Sequence, residues 1–130
     1  MSKKRRIIYV DATTINKENS KISLYDTGNN LTAIMELPNV SNNNKAELYG
    51  VLYAVLYAVK NDYKNCHVLC DNLHATQNKK VTELCQKYSV SLSWIPREVN
   101  VIADKVVKLE PTVKVKEWYI LKMFCEVIGL

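Results

Sequence analysis

The chain has 130 residues, 48% of them apolar and 24% charged, with a formal net charge of +5. That length fits one domain, 1–130, with a core of ordinary size, and no apolar run approaches the roughly 20 residues of a membrane span. The four cysteines, Cys66, Cys70, Cys85 and Cys125, form no Cys-x-x-Cys pair, which argues against a zinc site and for buried free thiols in an intracellular compartment, cytoplasmic or nuclear.

The N-terminus, Met1-Ser2-Lys3-Lys4-Arg5-Arg6, is basic and leads into a strand, not into a signal-peptide core. Residues 1–5 read as a basic extension that adds sequence-independent attraction to a polyanion, or that serves as a nuclear address. Residues 6–14 are apolar enough for a central strand. Residues 20–27 alternate apolar and polar as a half-exposed antiparallel strand does, and Gly28-Asn29-Asn30 turns the chain into a third strand over 31–37. Asn42, Asn43 and Asn44 close a polar loop and can cap the helix that follows.

That helix, 45–60, is apolar almost all round and should be buried on more than one side. Tyr49, Tyr53 and Tyr57 recur every four residues along one face. They read as packed rings whose hydroxyls reach water, or as a partner surface. A short buried strand follows at 66–71, a short helix or turn at 72–79, and an amphipathic helix at 80–88. Residues 90–95 form a strand ending at Trp94-Ile95-Pro96, and 99–108 a helix. Pro111 opens a final helix that runs to about residue 128 within 111–129.

Four acids sit at telling places in this order. Asp11 and Asp71 close apolar strands, while Glu47 and Asp104 lie near the starts of helices. A strand-helix-strand step is a right-handed crossover, which sets Asp11 beside Asp71 and brings Glu47 to the same edge. Acids gathered beside an apolar core repel one another, and a divalent cation with a preference for oxygen ligands, Mg²⁺ or Mn²⁺, is the usual compensation.

In order and context the four acids resemble the ribonuclease H domain, as a free-standing enzyme or as a module of retroelement and pararetroviral polymerases. The resemblance runs from about Ile7 to Val107. It is carried by Ile7-Ile8-Tyr9-Val10-Asp11, Ala46-Glu47-Leu48, Leu69-Cys70-Asp71-Asn72 and Asn100-Val101-Ile102-Ala103-Asp104. It implies an α/β fold: a mixed five-stranded sheet, three antiparallel strands followed by parallel crossovers, flanked by helices. It also implies an endonuclease that hydrolyses the RNA strand of RNA/DNA hybrids with two Mg²⁺ or Mn²⁺ ions. Asp11 would bridge both ions, Glu47 and Asp71 would hold the one near the leaving group, and Asp104 the one that activates water. Asn43 and Asn44 match positions that read the minor groove of the hybrid. Lys45 and Arg97 are candidate phosphate contacts, and Asn16 and Asn72 further nucleic-acid contacts. A polymerase or a second copy of the chain is a candidate partner.

The chain also departs from the family. Ala12-Thr13-Thr14-Ile15-Asn16 lacks the glycines common after the first acid, and Leu73 replaces a polar contact. No basic handle helix is evident between Asp71 and Trp94. No histidine precedes Asp104, and His74 is the nearest substitute. Two other readings follow from these gaps: a ribonuclease H-like DNA nuclease, and a non-catalytic binding or assembly module with the same fold.

Overall fold

A computed structural model describes residues 6–130. The basic extension expected at 1–5 lies outside the described residues, apart from Arg6 at its border. Five strands, β1 (Arg6–Thr14), β2 (Ser20–Asp26), β3 (Leu31–Leu37), β4 (Cys66–Cys70) and β5 (Ser91–Trp94), form one mixed sheet in the order β3-β2-β1-β4-β5. β1, β2 and β3 are antiparallel neighbours, and β4 and β5 add to β1 in parallel. Helices α1 (Asn43–Lys60), α2 (Leu73–Gln77), α3 (Lys79–Lys87), α4 (Val101–Val106) and α5 (Val115–Val127) flank it.

The alternation along β1 explains where the core sits. Ile8 and Val10 are fully buried and, with Ala12, point to one face of the sheet, where α1 packs. α1 is capped by Asn42, whose Oδ1 accepts the Lys45 backbone N–H at 3.0 Å. Its all-round apolar character is used, because it touches β1, β2 and β4 on one side and α3 and α5 on others. All four cysteines are buried and free.

Three expectations are corrected by tertiary contacts. Pro111 does not open the last helix. Residues 111–114 run along the edge strand β3, where Ile34 O accepts the N–H groups of Thr112 (2.9 Å) and Val113 (3.0 Å) and Ile34 N–H donates to Thr112 Oγ1. These bonds satisfy an edge that would otherwise stay unpaired, and α5 starts only at Val115. The helix expected over 99–108 is a 3-10 turn, Arg97–Val99, followed by α4, with Asn100 at the junction. The tyrosine stripe does not simply reach water. Tyr49 packs edge-on against Trp118 of α5, and the Tyr57 hydroxyl donates to Asp26.

Asp26 is the hub of the end of the sheet where β1 begins. It is fully buried and accepts from the hydroxyls of Tyr63 (2.7 Å) and Tyr57 (2.9 Å), from Gly28 N–H and from the Arg6 guanidinium at 3.3 Å. Arg6 also lies over the Tyr63 ring. It is therefore engaged in the fold rather than free to attract nucleic acid, contrary to its expected membership of the basic run. Burial alone would raise the Asp26 pKa, but the two hydroxyls and Arg6 outweigh it and hold it below the ordinary 3.8. Asp26→Ala should cost about 3 kcal/mol at pH 7, because it leaves buried donors unpaired. A carboxylate held below its unfolded value stabilises above that value. The difference between wild type and variant in urea melts should therefore shrink as pH falls below 3.8.

Candidate active site

The parallel register between β1 and β4 ends with Val10 opposite Cys70. The next residues, Asp11 and Asp71, are therefore neighbours at one edge of the sheet. Glu47, in the first turns of α1, reaches the same point from the face that α1 covers. Carboxylate oxygens of Asp11, Glu47 and Asp71 all lie within 4.8 Å of one another. Asp11 and Glu47 are buried, while Asp71 is half-buried.

Burial and mutual repulsion raise the pKa values of Asp11 and Glu47. Asp11 is pushed up to about 7, first by desolvation and then by the Asp71 charge. Glu47 is pushed up to about 9 by desolvation and by the charges of Asp11 and Asp71. A buried set of oxygen donors that repel one another fits a hard divalent cation such as Mg²⁺ or Mn²⁺.

Asp104 stands at the rim of this group. Its carboxyl is near enough to Asp11 to add to the rise of the Asp11 pKa, and Lys108 lies 3.8 Å from its Oδ2. α4 is tied to the sheet by Ser23 Oγ, which donates to Ala103 O at 2.7 Å. The structure thus gathers all four sequence-identified acids at one sheet edge, three of them in a tight set of which two are buried and Asp71 is half-buried.

Asn100, which opens the Asn100–Asp104 stretch that carries the resemblance but was given no role of its own, belongs to the site. It is fully buried, and its Nδ2 donates both to Val10 O (2.8 Å) and to Asp71 Oδ2 (3.0 Å). One amide therefore locks Asp71 to the strand that carries Asp11. Its Oδ1 is buried with no hydrogen-bond partner, leaving a further hard oxygen beside the acids. The available signal was its place one helical turn ahead of Asp104. Two other neighbours escaped notice. Cys70 Sγ lies 3.8 Å from Glu47 Oε2 as a weak donor, and Trp94 Nε1–H donates to Asp71 O at 3.2 Å.

The expected nucleic-acid contacts divide. Asn44 and Asn72 meet across the site, with Asn72 Nδ2 donating to Asn44 Oδ1 at 3.0 Å. Asn72 Oδ1 also caps α2 through Ala75 N–H. Asn43 and Lys45 are exposed in the first turn of α1, and Arg97 is exposed in the 3-10 turn. Asn16 lies instead in the β1–β2 loop, where its Oδ1 accepts the N–H groups of Glu18 and Asn19. His74 is exposed on α2, three residues after Asp71. Among the described residues, α2 and α3 are the only helices between Asp71 and β5.

The electrostatics set a test of their own. Glu47→Gln should raise metal-free stability at pH 7 by about 2–3 kcal/mol, because folding otherwise opposes ionisation of a buried acid. An acid with a raised folded value destabilises above its unfolded value. The advantage should therefore vanish near pH 4 in thermal melts, and millimolar Mg²⁺ or Mn²⁺ should raise the melting point of the wild type more than that of the variant.

No protein-family model matches the chain, and no curated protein matches it. Solved structures do. Ribonuclease H1 from the halophilic archaeon Halobacterium salinarum superposes with a TM-score of 0.60 at 14% identity, over 78% of this chain and 93% of that one. The N-terminal RNase H domain of a Mycobacterium tuberculosis protein, solved as a fusion with maltose-binding protein, superposes with a TM-score of 0.57 at 18% identity, over 78% of this chain and 94% of that one. The chain has the ribonuclease H-like fold. No helix among the described residues is long and apolar enough to cross a membrane.

Proposed function

We propose that the chain is a metal-dependent endoribonuclease that hydrolyses the RNA strand of RNA/DNA hybrids. The observation that carries this reading is the convergence of Asp11, Glu47 and Asp71 within 4.8 Å at one edge of a ribonuclease H-like sheet, with Asp104 at its rim. Asp11, Glu47 and Asp71 would hold one Mg²⁺ or Mn²⁺, and Asp11 with Asp104 a second. Bound divalent cations supply Lewis acidity and a water acidic enough to serve as a nucleophile at neutral pH.

The chain's own side chains do the rest. Asn100 fixes the orientation of Asp71 relative to β1. The Asn44–Asn72 bridge presents amides at the mouth of the site, where donors can meet base-edge acceptors and the 2′-hydroxyl that marks RNA. Exposed Lys45 and Arg97 suit phosphate oxygens. The free, buried cysteines are consistent with a reducing intracellular compartment.

Hydrolysis by water joins the water oxygen to phosphorus and breaks the bond from phosphorus to the 3′-oxygen, which leaves with a proton. The products should carry 5′-phosphate and 3′-hydroxyl ends. Mass spectrometry of fragments from a labelled hybrid reads this directly. Ends bearing 2′,3′-cyclic phosphate would mean that the substrate's own 2′-hydroxyl attacks, and would refute the mechanism.

A further inference from the structure

Helix α5 is apolar on two sides. Trp118, Leu121 and Cys125 face inward and are buried. Val115, Tyr119, Ile120, Met123 and Val127 stand outward, with Met123 62% and Val127 81% exposed. A helix apolar all round is expected to be covered all round. Beside this ridge lies a groove of about 770 Å³ between α5 and the C-terminal half of α1, lined by Leu31, Tyr53, Leu56, Val113 and Ile120.

We infer that a second copy of this chain docks on this face, with the two α5 helices antiparallel. A two-fold interface needs one patch that complements itself, and here a ridge and a groove lie side by side. The charges select the direction. Lys116 and Glu126 are both exposed, at opposite ends of the apolar stripe. Antiparallel pairing centred on Leu121 sets Tyr119 against Met123 of the second copy and Val115 against its Val127. It also sets Lys116 against its Glu126, twice by symmetry. Parallel pairing would oppose like charges. The five outward side chains run on into exposed Leu31 and Val59 at the rim of the groove, so ridge and groove form one continuous apolar patch.

Sedimentation velocity of the full chain tests this. A species of twice the 14.9 kDa chain mass should dominate as concentration rises toward about 100 µM. Met123→Glu, at an exposed position, should weaken the dimer at least about 100-fold, with an unchanged circular dichroism spectrum. Lys116→Glu should weaken it about tenfold, and the double variant K116E/E126K should return it to within about threefold of wild type. A monomer at every concentration, a dimer indifferent to Met123→Glu, or a double variant no tighter than Lys116→Glu would each overturn the proposal.

Discussion

Asp71→Asn should reduce cleavage of an RNA/DNA hybrid by about a thousandfold, roughly 4 kcal/mol of barrier, while the protein stays folded. The expectation rests on how little else the substitution touches. Asn100 Nδ2 can donate to the new amide oxygen as it does to Asp71 Oδ2, and the Trp94 indole bonds the main-chain carbonyl of residue 71, which is unchanged. What disappears is one negative charge from a set whose oxygens lie within 4.8 Å. That charge is what a divalent cation would be bound by, and it also contributes to raising the pKa of Asp11. The variant should therefore melt no lower than wild type without divalent ions, yet gain less on addition of Mn²⁺. Rate measurements paired with thermal melts separate the two effects. A variant that is inactive because it is unfolded would show in the melts.

Asn100→Leu should have the second largest effect. Leucine matches asparagine in size but breaks both bonds, to Val10 O and to Asp71 Oδ2, that tie β1 to Asp71. Stability should fall by about 2–3 kcal/mol. Asn100 acts through Asp71 and is a positioning residue, so its loss should appear first as a demand for more metal. The Mg²⁺ or Mn²⁺ concentration at half-maximal activity should rise about 10- to 100-fold, the range expected when a partner that orients a ligand is removed. Saturating metal should restore part of the rate. A purely structural role would lower the melting point and leave the metal requirement where it was.

The contrast between Asp71 and Asn100 shows what was legible in the sequence. Asp11 and Asp71 each end a run of apolar β-forming residues, so local pattern places them at strand ends and the crossover rule sets them side by side. Glu47 follows from its place at the N-terminal end of the crossover helix, close to that edge. Asn100 opens the stretch that ends in Asp104, but no strand or crossover rule assigns it a contact with β1. It sits between a 3-10 turn and a six-residue helix, where an asparagine reads as a cap, and only the approach of that junction to β1 buries it. The late start of α5 is hidden for a similar reason, since β3 pairs with residues 112–113 across a long sequence separation. Asn16 is less legible: its amide oxygen serves the loop in which it lies. Arg6 likewise looked like part of a basic run, and it is held by Asp26 and Tyr63.

The most direct test of the account is cleavage of a hybrid with labelled RNA and DNA strands in Mg²⁺ or Mn²⁺, alongside duplex DNA, duplex RNA and the Asp71→Asn protein. Metal-dependent cutting confined to the RNA strand of the hybrid, and lost in the variant, is the predicted result. A folded wild-type protein that cuts none of these substrates, or that cuts duplex DNA in preference, would contradict it.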